Sequence, residues 1–91
     1  MAATARHIIF TGYVQGVGFR FTAHRIANRH GLTGWVKNLT DGNVEMLVQG
    51  PLDDIENCIN HIKESFTGYV KQTKIQEIPL APLFKDFRIT F

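Results

Sequence analysis

The sequence predicts an α+β fold in the order strand, helix, strand, strand, helix, strand, with a short extra strand at the C-terminus. Three observations predict it. Segments of period two and period 3.6 alternate along the 91 residues, glycine or proline stands at most of the boundaries, and Asp41-Gly42 joins two strand-like runs. With 44% hydrophobic and 20% charged residues, the chain has the balance of an ordinary soluble globular protein and is expected to form one domain over 1–91.

The first strand is expected over His7 to Val14, where Ile8, Phe10 and Val14 share one face and His7, Thr11 and Tyr13 the other. Only Ile9 interrupts the polar face. From Phe21 to His30, Ala23, Ile26 and Ala27 recur at helical spacing, and Gly31-Leu32 reads as a helix stop with its hydrophobic contact. Thr33 to Leu39 and Asn43 to Gln49 form an antiparallel pair through Asp41-Gly42, a dipeptide suited to the positive φ of a hairpin turn. Gly50-Pro51 ends the hairpin. Asp53, Asp54 and Glu56 then place negative charge at the start of a second helix with an apolar stripe of Ile55, Ile59, Ile62 and Phe66.

Gly68 closes that helix, and Val70 to Ile78 reads as a strand of imperfect alternation. Pro79 and Pro82 bracket a loop before a last strand, Phe87 to Phe91, whose Phe87, Ile89 and Phe91 share one face. This order is the split βαβ, or ferredoxin-like, plan: an antiparallel sheet with two helices on one face and a short added strand. The plan hosts many activities and names none.

The stretch Gly12-Tyr13-Val14-Gln15-Gly16-Val17-Gly18-Phe19-Arg20 bears on function. Its glycines let backbone N–H groups approach a ligand, the following helix adds the positive end of its dipole, and Arg20 offers a planar charged fork. Together they read as an anion cradle. Two common phosphate loops are excluded, because the lysine and hydroxyl of one are missing and Phe21 stands where the other requires glycine. By its local chemistry alone the stretch is equally an ordinary glycine-rich connection from strand to helix.

Taken with Gly34-Trp35-Val36-Lys37-Asn38-Leu39-Thr40-Asp41-Gly42-Asn43-Val44-Glu45-Met46-Leu47-Val48-Gln49-Gly50, that stretch resembles the two motifs of the acylphosphatase family. The resemblance extends in element order and length to the closing Phe87-Arg88-Ile89. It implies a metal-independent hydrolase that needs no organic cofactor and splits the anhydride between a carboxylic acid and phosphate. By the same resemblance Arg20 holds the phosphate, the amides of Gly16, Val17, Gly18 and Phe19 complete the cradle, and Asn38 orients the attacking water. Tyr13 departs from the family, whose members often carry a basic residue there.

The chemistry is self-consistent. An acyl phosphate releases a carboxylate, a weak base that departs without a proton donor, so positioning and charge stabilisation suffice. Simple alkyl phosphates, which leave a stronger base, are expected to be poor substrates.

Other residues are assigned to structure. Cys58, the sole cysteine, rules out an intrachain disulfide, lies near the stripe of the second helix and is read as packing. Asp53-Asp54 is read as serving the helix dipole, and His7, His24, His30 and His61 as surface or helix-packing groups, since none belongs to either motif. Trp35 and Val36 are read as core or pocket wall. Asn38, by spacing alone, would be a strand-end or turn residue, and only its place in the second motif marks it for chemistry.

The net charge of +2 and scattered basic residues do not call for nucleic acid. An RNA-recognition domain has the same element order but needs stacking aromatics on its third strand, where this chain has Val44-Glu45-Met46-Leu47-Val48-Gln49. No segment reaches the length of a membrane span and no secretory leader is seen, so the expected location is the cytoplasm and the match of Asn38-Leu39-Thr40 to a glycosylation signal is accidental. The expected protein is a free-standing monomer with a small acyl phosphate as substrate and inorganic phosphate as product. The alternative is a non-catalytic phosphate-binding module, or a piece of a larger maturation protein that uses carbamoyl phosphate.

Overall fold

The computed structural model describes residues 3–80 and 84–91. Its elements are β1 Ala3–Gly12, α1 Phe19–Arg29, β2 Thr33–Asn38, β3 Val44–Pro51, α2 Leu52–Ser65, β4 Val70–Ile78 and β5 Phe87–Thr90. The strands form one sheet in the order β4-β1-β3-β2-β5. The first four are antiparallel neighbours, as expected of the ferredoxin-like plan, whereas β5 lies parallel to β2 and makes the complete sheet mixed. The reason is geometric. Ala5 faces both Ile78 and Gln49, and Gln49 faces Thr33, so β4 finishes at the end of the sheet where β2 begins. A chain entering the far edge from that end runs in the direction of β2. Pro82, read as one bracket of this connection, lies outside the described residues.

Alternation builds the inner sheet face. Ile8, Phe10, Val36, Val44, Met46, Val48 and Phe87 are all buried beneath the helices. From the other side, α1 contributes Phe19, Ala23, Ile26 and Ala27, and α2 contributes Ile55, Cys58, Ile59 and Ile62. Each large apolar side chain removed from water contributes about 1.5–3 kcal/mol, and no polar residue is wholly buried among the described residues. Phe10, Phe19 and Phe66 pack in sequence as tilted pairs, with ring centroids 4.9 and 4.6 Å apart. That aromatic cluster anchors the first residue of α1 to β1 and to the end of α2. Burial pushes the Cys58 thiol up to about 12, which suits packing and not nucleophilic chemistry.

Several boundaries differ from expectation for physical reasons. β1 begins four residues earlier than the apolar alternation suggests, because Ala3 to Arg6 pair with Val48 to Pro51. It ends at Gly12, where its pairing with β4 shifts register, and Val14 is buried beyond the strand rather than within it. Helix α1 begins at Phe19, two residues before the periodic pattern, because the Thr22 N–H already bonds the Gly18 carbonyl at 3.1 Å. The hairpin closes with the Leu39 N–H on the Asn43 carbonyl at 2.8 Å, and of its loop residues only Gly42 has positive φ, at 92°. Phe91 does not join Phe87 and Ile89 in the core: it follows the last paired residue, Thr90, and is 99% exposed.

Candidate functional site

The site is assembled at one end of the sheet, where β1 gives way to α1 and β2 turns into β3. The Tyr13 N–H bonds the Tyr69 carbonyl at 2.9 Å, so the loop leaving β1 is held before it turns. Val14 then inserts into the core. Gly16 and Gly18 have φ of 76° and 78°. A Cβ at either position would meet open space, so the requirement for glycine lies in the backbone rotation and not in crowding. Gly18 forms the N-cap of α1 in the left-handed region, and no side chain caps that end among the described residues.

The first amides of a helix lack intrahelical partners and carry its partial positive charge. In α1 that end has no acidic residue in its first turn and instead carries Arg20. The guanidinium is steadied from β5: Arg20 Nη1 donates to the Thr90 carbonyl at 3.4 Å, and Cζ lies 5.0 Å from the centroid of the Phe91 ring. Cation and dipole thus have the same sign at one place, an arrangement that favours an anion between them.

Asn38 closes β2 and pairs with Val44. Its Oδ1 is buried and has no hydrogen-bond partner among the described residues. Such an acceptor costs about 1–3 kcal/mol unless something donates to it. Val14, Gly16, Gly18, Phe19, Arg20, Phe21 and Asn38 line one cleft of about 200 Å3. The structure therefore brings together five of the six residues selected from the sequence. Val17 is the exception, with its side chain turned out to 38% exposure and absent from the lining. A larger concavity of about 440 Å3 lies against Lys63, Glu64 and Thr67 at the end of α2, away from both motifs.

Sequence reasoning misses one residue of this region, Gln15. Its side-chain amide donates to the Leu39 carbonyl at 2.7 Å and to the Asn43 carbonyl at 2.8 Å, joining the glycine loop to the β2–β3 turn. Those partners lie 24 and 28 residues away, so no local pattern could reveal them.

The remaining polar candidates stand elsewhere. His7 Nε2 meets Glu45 Oε2 at 2.7 Å on the sheet face opposite the helices, and Lys37 Nζ reaches Glu45 Oε1 at 3.5 Å. His24 bonds Asn28 at 3.2 Å, and His30 lies 3.9 Å from Asp54. Val36 is core, whereas Trp35 lies on the outer face under Lys37 Nζ, 5.4 Å from its ring centroid. Tyr13 is 70% exposed, and Lys71 Nζ from β4 sits 5.7 Å from its ring centroid, so a cation does stand beside that position. No helix among the described residues is long and apolar enough to cross a membrane.

Comparison with known proteins shows the family and agrees with the fold. The acylphosphatase family model matches residues 6–89. An acylphosphatase of Alcanivorax borkumensis is 46% identical over 57 residues, covering 63% of this chain and 62% of that protein. The match thus spans about three-fifths of the length of such curated relatives, while an acylphosphatase of Chlorobaculum tepidum is 39% identical over 91% of both chains. The crystal structure of an acylphosphatase from Bacillus subtilis superposes with a TM-score of 0.89 at 33% identity, covering 97% of this chain and 99% of that one. A structure of full-length HypF in a phosphate- and nucleotide-bound form superposes with a TM-score of 0.85 at 33% identity, covering 99% of this chain and 12% of that one. The family model, the relatives and the solved structures converge, and this chain belongs to the acylphosphatase family.

Proposed function

We propose that this protein hydrolyses acyl phosphates to a carboxylate and inorganic phosphate. The observation that carries the reading is the convergence of the glycine loop, Arg20 and the partnerless Oδ1 of Asn38 on one small cleft. The phosphate group sits on the loop amides at the start of α1, with Arg20 bonding two of its oxygens. Asn38 Oδ1 accepts a hydrogen bond from a water and aligns it opposite the bond to the acyl oxygen.

Water attacks phosphorus, the bond from phosphorus to the acyl oxygen breaks, and the electron pair leaves on the carboxylate. The proton lost by water remains with the phosphate product. The transition state is loose, so fixed positive charge and alignment supply the catalysis. The reading places the activity in one domain over 1–91, acting as a cytoplasmic monomer without metal or organic cofactor.

The test is the ultraviolet decay of benzoyl phosphate with purified protein, with and without a chelator, beside Asn38→Ala. Removing one such donor or acceptor costs roughly a hundred- to a thousandfold in rate. Rapid, chelator-resistant hydrolysis that falls by this much in Asn38→Ala, with KM nearly unchanged, is the expected result. Full activity in Asn38→Ala would overturn the water-positioning role. The match to a small part of full-length HypF favours a second reading, a phosphate-binding module of a larger assembly, and a folded wild-type protein that hydrolyses nothing would select it.

A further inference from the structure

We infer that Gln15 is a positioning residue that fixes Asn38 relative to the anion loop, an inference that rests on the hydrolytic reading above. Both bonds come from Nε2, so the two N–H groups of one amide grip two carbonyls, Leu39 at 2.7 Å and Asn43 at 2.8 Å. Leu39 and Asn43 are also joined directly, the Leu39 N–H bonding the Asn43 carbonyl at 2.8 Å. The next pair inward is Asn38 with Val44. Gln15 therefore holds the rung adjacent to the one that carries Asn38.

On its other side Gln15 is bonded through the chain to Gly16, which lines the same cleft as Arg20 and Asn38. Among the described residues, the buried Oδ1 of Asn38 has no hydrogen-bond partner, so it is not itself tied to this loop. The glycine loop turns through two left-handed positions at Gly16 and Gly18, and the hairpin end is a separate piece of backbone. Their separation decides whether a water on Asn38 points along the breaking bond. A displacement of an ångström at such a point costs about a hundredfold in rate. A bidentate clamp of part-buried hydrogen bonds is the device that prevents it.

Neither of the two nearest side chains reproduces the grip. Glutamate at 15 would set a carboxylate against two carbonyl oxygens, replacing both donors with acceptors. Asparagine is one methylene too short to reach both.

The experiment compares Gln15→Ala, Gln15→Glu, Asn38→Ala and the double variant Gln15→Ala/Asn38→Ala, using benzoyl phosphate turnover and competitive inhibition by inorganic phosphate. Gln15→Ala is expected to lower kcat by roughly tenfold to a hundredfold while the inhibition constant of phosphate stays nearly unchanged. In the Asn38→Ala background the same change should have little further effect, because Gln15 acts through Asn38. Gln15→Glu should recover turnover relative to wild type as pH falls, since the neutral acid regains one donor, and its pKa is raised by the facing carbonyls. Independent losses that multiply in the double variant would overturn the inference, as would wild-type kcat in Gln15→Ala.

Nuclear magnetic resonance separates the clamp from the chemistry. The side-chain amide protons of Gln15 should exchange slowly in the wild type, and the backbone resonance of Asn38 should move in Gln15→Ala. If the wild type hydrolyses no acyl phosphate, the functional reading falls, and a rapidly exchanging Gln15 amide would overturn the clamp separately.

Discussion

The two helices start in opposite electrostatic ways. At α2, Pro51 sits at the N-cap in extended conformation and Asp53 and Asp54 occupy the first turn, so the helix dipole is answered by its own carboxylates. At α1 the N-cap is a left-handed glycine, no acid is near in sequence, and Arg20 adds positive charge to the positive end. The first arrangement stabilises the isolated fold. The second leaves the fold less stable than it could be and makes one place on the surface attractive to an anion. The difference separates a helix whose start is neutralised by its own carboxylates from one whose start is left positive.

The comparison breaks most severely at Arg20. Arg20→Gln keeps a donor but loses the charge and the fork, and turnover of benzoyl phosphate is expected to fall by roughly a thousandfold, with KM rising as well. Inorganic phosphate at about a hundredfold above its dissociation constant should stabilise the wild type against urea by about 2.7 kcal/mol, and this increment should vanish in the variant. Phosphate stabilising both proteins equally would place the anion elsewhere.

A smaller effect is expected at Gly18. Its φ of 78° is a conformation that an L side chain adopts at a cost of about 1–2 kcal/mol, although a methyl group there would touch nothing within 4 Å. Gly18→Ala should therefore lower stability by about that amount in urea denaturation, and should raise KM as the cap shifts away from left-handed geometry. Unchanged stability with an unchanged KM would show that the loop tolerates another backbone path.

How far the sequence disclosed this contrast depends on the range of the interactions involved. The two motifs, Asp53-Asp54, the stripe of α2 and the hairpin at Asp41-Gly42 were all legible, because each is written within a few residues. Strand β4 was read to the residue from Val70 to Ile78, since Gly68 and Pro79 flank it. Ala3 to Arg6 were not legible as strand, because the apolar side of Ala-Thr-Ala-Arg consists of two alanines, small residues of low strand propensity, and only pairing with β3 extends β1 that far. Phe91 misled for the reverse reason: its local alternation was sound, but the pairing of β5 with β2 ends at Lys37 and Thr90 and does not hold it. Gln15 carried no signal because its significance lies in two carbonyls on another part of the chain.

The mildest perturbation falls on the helix that contributes no residue to the cleft. Asp53 is exposed and stands one residue into α2, where a carboxylate interacts with a helix dipole by about 0.3–1 kcal/mol at low salt. Asp53→Asn should reduce stability by that amount, and the loss should shrink as salt is raised because exposed charges are screened. Turnover and phosphate affinity should stay at wild-type values, since α2 contributes nothing to the lining of the cleft. The outcome that would weaken the contrast is a change in phosphate affinity, for it would mean that the carboxylates of α2 shape the field at Arg20. If only stability moves, the same dipole has been used in one molecule for two ends: neutralised within the chain at α2, and left open at α1.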